Sequence, residues 1–373
     1  MENLVLYRKY RPQKFSEVIG QESTIQTIEN EIKSGHIAHA YLFSGPRGCG
    51  KTTTARIIAK AVNCLERKEG QAEPCNKCAN CLDITAGRSM DLIEIDAASH
   101  RGIDDIRELR EGIKFVPSKS RYKVFIIDEC HQLSKDAANA LLKTLEEPPA
   151  HAIFILATTE IHKMIATILS RCQRFDFRKL RLPVLLERLQ KLTDSEGVKA
   201  DKAALELVAL NSGGSVRDAE SLLGQALILA QTSEKEKLSA EDIRGLLGVV
   251  ETQSIGQFVD LLAAKKTSQA IAALNEVAEK GYDLQEYSKS LINYLRHGLI
   301  LGISGIESAN DGELVTGLTD EEFEKLKIQT TALGTQKLQK IIELFLTAQD
   351  KIKYSSIPQL PLELATISSC AIQ

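Results

Sequence analysis

Four short apolar runs punctuate the first half of the chain: AYLF (40–43), DLIEID (91–96), KVFIID (123–128) and AIFILATT (152–159). Each is too short for a helix, and near-continuous apolarity is what strands buried on both faces require. Between them, segments such as TTTARIIAKAVN and KDAANALLKTLEE place apolar residues three and four apart, the spacing of a helix with one buried face. Pro148 and Pro149 stop the second of these. Alternating strands and helices predict an α/β fold with a parallel sheet.

After RFDFRKLRLP the strand-like runs cease. PVLLERLQKLTDSEG, DKAALELVALNSGG and SVRDAESLLGQALILA predict a small helical block to about residue 243, with Ser215 and Asp218 as a capping box on its third helix. From about residue 249 the pattern stays helical to the end, as in SIGQFVDLLAAKK and TQKLQKIIELFLTAQDKI. The expected division is 1–179, an α/β domain with a cysteine insertion at 64–81; 180–243, a small helical domain; and 244–373, an all-helical domain. No internal repeat, low-complexity tract or long linker interrupts it.

A length of 373 residues suits several cores, and 43% hydrophobic with 26% charged residues is ordinary for a globular chain. The net charge of −3 gives no global pull toward nucleic acid, so any DNA contact must be local. The N-terminal stretch lacks the apolar core of a signal peptide, and no uncharged run reaches the roughly 18 residues of a membrane span. A cytoplasmic protein with no membrane association is expected. There, structural disulfides are disfavoured, and clustered cysteines read as metal ligands or redox groups.

The strongest chemical signal is GPRGCGKT: Gly45, Pro46, Arg47, Gly48, Cys49, Gly50, Lys51 and Thr52, with Thr53 continuing into the helix. A strand precedes it and a helix follows, so backbone N–H groups and a helix N-terminus would face the phosphates of a nucleotide. The glycines permit close approach, Lys51 would neutralise the terminal phosphates, and Thr52 would hold magnesium. The bland alternative is a glycine-rich turn that fits the pattern by chance. Further on, KVFIIDECH ends a buried strand in Asp128 and Glu129, at the edge where a parallel sheet presents its ligand crevice. Asp128 suits the magnesium shell and Glu129 suits deprotonation of an attacking water. Alone, such an acidic strand end is usually a solvated loop start.

His131 reads as a loop residue or a support behind the site. Thr158 and Thr159 end the next strand and could orient the same water, although threonines are common in strands for propensity reasons alone. Arg171 and Arg217 are each an arginine finger or an ordinary surface arginine. Cys75, Cys78 and Cys81 have knuckle spacing, and Cys64 supplies a fourth thiolate, which favours a closed structural zinc site over an iron–sulfur cluster or redox thiols. Cys49, Cys130, Cys172 and Cys370 are scattered and read as small buried side chains.

With these residues assembled, the chain resembles the gamma/tau family of bacterial DNA polymerase III clamp-loader subunits, which are AAA+ P-loop ATPases. The resemblance is carried by YRKYRPQKFSEVIGQE, HAYLFSGPRGCGKTTTARIIAKAVNC, the CxxCxxC insertion, EIDAASHRGIDDIRELRE, VFIIDECHQLS, ALLKTLEEPP, ILATTE, TILSRCQRFDF and GGSVRDAESLL. It is dense through about residue 225; beyond that only helical character and length match. It implies ATP, Mg2+ and Zn2+ as cofactors, a helical lid, and a third domain forming a collar in a pentamer with the related delta and delta prime subunits and further copies of the chain.

By position, Lys51 and Thr52 take the phosphate and magnesium contacts, Asp128 and Glu129 the acidic pair, and Thr159 the first sensor. Arg171 would reach into a neighbouring subunit's ATP site, and Arg217 would be a sensor within its own chain. Tyr10, Arg11 and Pro12, with Val18, Ile19 and Gly20, match segments that pack around the adenine. The family's activity is to open a ring-shaped sliding clamp and load it onto primed DNA, gripped through phosphates; Arg101 in SHRGIDDIRE is a candidate contact or a solvated helix start. The family's longer tau form carries a C-terminal extension, whereas this sequence stops at Gln373, so polymerase tethering is not carried over. Two other readings compete. An AAA+ motor acting on proteins or DNA lacks an appended threading or winged-helix segment, and a non-hydrolysing zinc scaffold would need a degraded ATP site.

Overall fold

The computed structural model describes residues 5–99, 112, 113, 115–232, 237–247, 252–304 and 320–372. The chain divides into two compact units, Met1–Ala240 and Glu241–Gln373. Arg101 and the rest of 100–111 lie outside the described residues.

The first unit is built on five parallel strands: β1 (Ala40–Ser44), β2 (Leu92–Asp96), β3 (Lys123–Asp128), β4 (Ala152–Thr158) and β5 (Gln173–Asp176), in the order β2-β3-β4-β1-β5. Every residue of β1 and β4 is buried, which is why these strands read as unbroken apolar runs. Tyr41, Phe43 and Ile155 face a core shared with the helices Glu22–Ser34 and Lys51–Asn63. Leu42, Phe125 and Phe154 face the opposite core, with Leu141 and Leu145 of the helix Lys135–Glu146.

The strand β5 was not among the four sequence-predicted runs. It is an edge strand whose only buried residue is Phe175, which meets Phe43 edge-on with ring centroids 6.0 Å apart. Past it, the helices Leu182–Glu196, Lys202–Asn211 and Val216–Thr232 form the helical block, with a parallel bridge between Lys199–Ala200 and Lys237–Leu238 too short to leave a periodicity. The expected capping box has one arm only. Ser215 Oγ accepts the Asp218 N–H at 3.3 Å, while the Ser215 N–H donates to the Ser212 carbonyl at 3.0 Å instead of to Asp218.

The second unit is helical in its described residues, running Thr252–Ala263, Thr267–Glu279, Leu284–Ser304, Asp320–Leu333, Thr335–Ile352 and Leu360–Ala371. Phe258, Tyr287, Phe323 and Phe345 fill its core. One buried polar link crosses it: Tyr294 donates to Gln329 Oε1 at 2.8 Å, and Gln329 Nε2 donates to the Gly256 carbonyl at 2.8 Å. No helix among the described residues is long and apolar enough to cross a membrane.

Candidate active site

Strand order decides which residues meet. Because β4 lies between β1 and β3, the turn leaving β1, the tip of β4 and the acids ending β3 share one edge of the sheet. Gly45 leaves β1 at φ 145°, and its N–H donates to the Thr158 carbonyl at 3.2 Å. Gly48 has φ 74°, and a Cβ there would lie 2.0 Å from Ser215 Oγ. The loop and the start of the Val216–Thr232 helix are in direct contact, and the Val216 N–H donates to the Gly48 carbonyl at 3.1 Å. Lys51 is 5% exposed, and its ammonium donates to the Gly45 and Pro46 carbonyls at 2.7 and 2.8 Å.

Beside the loop runs a line of short hydrogen bonds. The Thr52 hydroxyl donates to Asp128 Oδ2 at 2.6 Å, and Asp128 Oδ1 accepts the Glu129 N–H at 2.9 Å. Glu129 sits at φ 47° and ψ 41°, a left-handed conformation uncommon for a residue with a side chain. The Thr159 hydroxyl donates to Glu129 Oε2 at 2.9 Å. His131, its side chain 3% exposed, places Nδ1 3.0 Å from Thr158 Oγ1 and 3.4 Å from Glu129 Oε2. The ring therefore supports the acidic pair from behind, together with the fully buried Thr158.

A cavity of about 470 Å³ opens on this edge, a size typical of small-ligand sites. Arg47, Gly48, Cys49, Gly50, Lys51, Thr52 and Thr53 line one side of it, and Asp128 and Glu129 lie with them. Arg11, Pro12, Val18 and Ile19, from the segments the resemblance matched to adenine packing, line it as well, while Gly45, Pro46 and Thr159 are not on its wall. Tyr10 is not on the wall either. It hydrogen-bonds Glu196, and the aromatic residue at the cavity is Tyr7, one turn earlier.

Arg217 also lines the cavity, with its guanidinium carbon 4.8 Å from the centre of the Tyr7 ring. Hydrogen bonding from Arg217 holds the Tyr7 phenol below its ordinary range. Asp96, Arg188 and Glu220 are lining residues that sequence reasoning missed. Arg188 Nε donates to Glu220 Oε1 at 2.9 Å and its NH2 group to the Tyr10 carbonyl at 2.7 Å. Burial pushes the Glu220 carboxyl up, against the pull of Arg188. Asp96 could have been found: it ends β2 in register with Asp128. Arg171 stands apart from the cavity, paired with Glu146 at 2.7 Å and donating to the Thr167 carbonyl at 2.8 Å.

The sulfur atoms of Cys64, Cys75, Cys78 and Cys81 lie within 4.8 Å of one another. A tetrahedron of Zn–S bonds near 2.3 Å has edges of about 3.8 Å, so this donor set fits zinc with little movement. Cys75 Sγ accepts the N–H groups of Lys77 and Cys78 at 3.3 and 3.2 Å, and Cys64 Sγ accepts that of Cys75 at 3.3 Å, contacts that favour thiolates. All four thiols are free, and four thiolates would complete a tetrahedral zinc shell. Of the scattered cysteines, Cys49, Cys130 and Cys370 are buried as expected, whereas Cys172 is only partly so.

Comparison with known proteins gives three family profiles: "DNA polymerase III, delta subunit" over residues 20–181, "DNA polymerase III clamp loader subunit, ATPase lid domain" over 185–232, and "DNA polymerase III subunits gamma and tau domain III" over 238–373. The tau subunit of DNA polymerase III from Bacillus subtilis is 43% identical over 99% of this chain, which spans 64% of that relative's length. The gamma subunit from Buchnera aphidicola is 32% identical over 98% of both chains. A solved structure of RuvB from Thermotoga maritima superposes with a TM-score of 0.50 at 18% identity over 85% of this chain and 98% of its own, a likeness of fold alone. With a relative matched nearly end to end and the profiles following the chain in order, the chain belongs to the DNA polymerase III gamma/tau family of clamp-loader AAA+ proteins.

Proposed function

We propose that this chain is an ATP hydrolase, the motor subunit of the DNA polymerase III clamp loader, which uses ATP binding and hydrolysis to load the sliding clamp onto primed DNA during replication. The observation that carries the reading is the line Thr52, Asp128, Glu129, Thr159, running from the phosphate loop to the tip of β4 at one sheet edge. In it the loop amides and Lys51 bind the phosphates, and Arg217 reaches the same cavity from the lid. Thr52 and Asp128 are the residues to hold Mg2+, which neutralises phosphate charge when bound. Glu129 accepts the proton of the attacking water, and Thr159 fixes the direction in which that carboxylate points.

Arg171 is assigned to a neighbouring subunit's site. Its exposed pairing with Glu146 leaves the guanidinium at the surface, where a phosphate from another protomer can displace the carboxylate. The partners are delta, delta prime and further copies of this chain in a pentamer, together with the clamp and primed DNA held through its phosphates, all in the cytoplasm. The four thiols hold a structural Zn2+, whose binding gathers residues 64–81 into one module.

Clamp loading on primed circular DNA, with partner subunits added one at a time, tests the reading. Loading that needs ATP and this chain, and that is lost with Glu129→Gln, is the expected result. ATP turnover unchanged by Glu129→Gln would refute it.

A further inference from the structure

Besides Tyr7, two parts of the N-terminal segment line the nucleotide cavity: Arg11 with Pro12, and Glu17 with Val18 and Ile19. The residues between them are held by the cysteine insertion. Glu73 spans the start of the Phe15–Glu17 turn, accepting the Phe15 N–H at 2.9 Å through Oε2 and the Ser16 N–H at 2.8 Å through Oε1. Asn76, at φ 57° between two cysteines, donates Nδ2 to the Gln13 carbonyl at 3.1 Å and accepts Lys60 Nζ at 3.0 Å. The Gln13 side chain also accepts from Lys60 and donates back to the Arg11 carbonyl at 2.9 Å. Beneath this polar layer, Phe15 and Ala72 share one core and Val18 packs against it.

Besides the thiols, the far side of the insertion is tied by Arg67, whose Nε donates to the Ala61 carbonyl at 2.8 Å and whose NH1 group donates to the Gln71 and Ile32 carbonyls at 2.6 and 3.5 Å. Its buried apolar residues before the knuckle are few, Ala72 and Pro74, and Leu65 is 66% exposed. A segment with so few apolar anchors holds Glu73 more firmly when its ends are also tied through the thiols, because the ordering entropy opposes it.

We propose that the insertion braces the nucleoside side of the ATP site, with Glu73 and Asn76 as positioning residues through which closure of the four-thiolate site and nucleotide binding are linked. The inference rests on the nucleotide reading above. Linkage is reciprocal: whatever factor zinc adds to ATP affinity, ATP adds to zinc retention.

The test uses the full chain loaded with zinc. A fluorescent ATP analogue should bind Glu73→Ala and Asn76→Ala roughly tenfold more weakly than the wild type, with Glu73→Gln, which keeps one acceptor oxygen, in between. The zinc dissociation constant, measured by equilibrium competition with a chromogenic chelator, should fall roughly tenfold when the wild type is saturated with a non-hydrolysable ATP analogue and magnesium, and should be unaffected by the nucleotide in Lys51→Ala. This second measurement needs no brace variant, so it decides the matter even if Glu73→Ala fails to fold. Equal nucleotide affinity in wild type and Glu73→Ala overturns the proposal, as does a zinc dissociation constant that ignores bound nucleotide, or a wild type that retains no zinc. A wild type that binds no nucleotide removes the ATP reading itself, a result distinct from one in which all variants bind equally.

Discussion

The Thr159 hydroxyl donates a 2.9 Å hydrogen bond to Glu129 Oε2, so the tip of β4 holds the carboxylate that ends β3. This sets the orientation of the proposed base independently of the phosphate loop. Thr159→Ala is expected to lower kcat about tenfold with little change in nucleotide affinity, while Thr159→Ser restores it. Glu129→Gln should lose roughly 10²–10⁴ in kcat, the range of general-base catalysis. Steady-state hydrolysis, with binding measured separately, distinguishes the two. A Thr159→Ala enzyme with wild-type kcat would mean that the bond is not used in turnover.

A glycine makes the junction between loop and lid. At Gly48 a methyl group meets Ser215 Oγ at 2.0 Å, and the φ of 74° adds strain of about 1–2 kcal/mol for any L side chain. Gly48→Ala should weaken nucleotide binding about tenfold or more. In the double variant with Ser215→Ala the clash disappears but the backbone strain stays, so part of the affinity should return. A fluorescent-nucleotide titration of the two single variants and the double one closes the cycle. Strict additivity would show that Gly48 and Ser215 do not meet in solution.

The two central strands were legible because both of their faces are buried, which leaves a continuous apolar signature in β1 and β4. The edge strand β5 buries Phe175 alone and carries no comparable pattern. The phosphate loop could be read because its chemistry is contiguous in sequence. The Thr159–Glu129 contact depends on β4 lying next to β3, which local periodicity does not encode. Tyr7 was missed in favour of Tyr10 because only the fold shows that Tyr10 is engaged by Glu196 while Tyr7 reaches the cavity. Arg188 and Glu220 lie on two different helices, and only packing shows them as a largely buried pair.

Asp91 makes the fold's stability depend on acid. It is 3% exposed, and its carboxylate accepts the N–H groups of Ser118, Lys119 and Ser120 at 2.7, 2.9 and 2.9 Å. Burial raises its pKa, but the three donors outweigh that and hold it below the ordinary carboxylate range. A depressed folded pKa stabilises the protein fully above the unfolded value near 3.9, and that contribution fades as pH falls through the folded value. Asp91→Asn should therefore destabilise by about 1–3 kcal/mol at pH 7, and the gap to wild type should narrow in acid. Urea unfolding of both proteins across pH checks this; a gap that widens in acid would reverse the sign.

For the four thiols the expected outcome is about one zinc per chain by elemental analysis, without visible absorbance. Cys75→Ser should lose most of the metal, because Cys75 Sγ both belongs to the sulfur cluster and accepts the Lys77 and Cys78 N–H groups. Iron together with colour would replace the assignment by a cluster.

The Arg171–Glu146 pair separates folding from assembly. Its members are 32% and 48% exposed, so the bond is worth about 0–1 kcal/mol, and Arg171→Ala should shift the thermal midpoint of the isolated chain by less than about 3 °C. Within the proposed pentamer, on primed DNA and clamp, the same change should remove the stimulated ATP turnover by roughly 10³-fold or more, the scale of an arginine finger. Glu146→Ala frees the guanidinium without deleting it and should leave stimulated turnover intact or raise it. The two variants break the same ion pair, but one should lose stimulated turnover while the other keeps it, which a role limited to stability cannot produce. If both lower stimulated turnover equally, Arg171 acts through Glu146 inside its own subunit and not on a neighbour's phosphate.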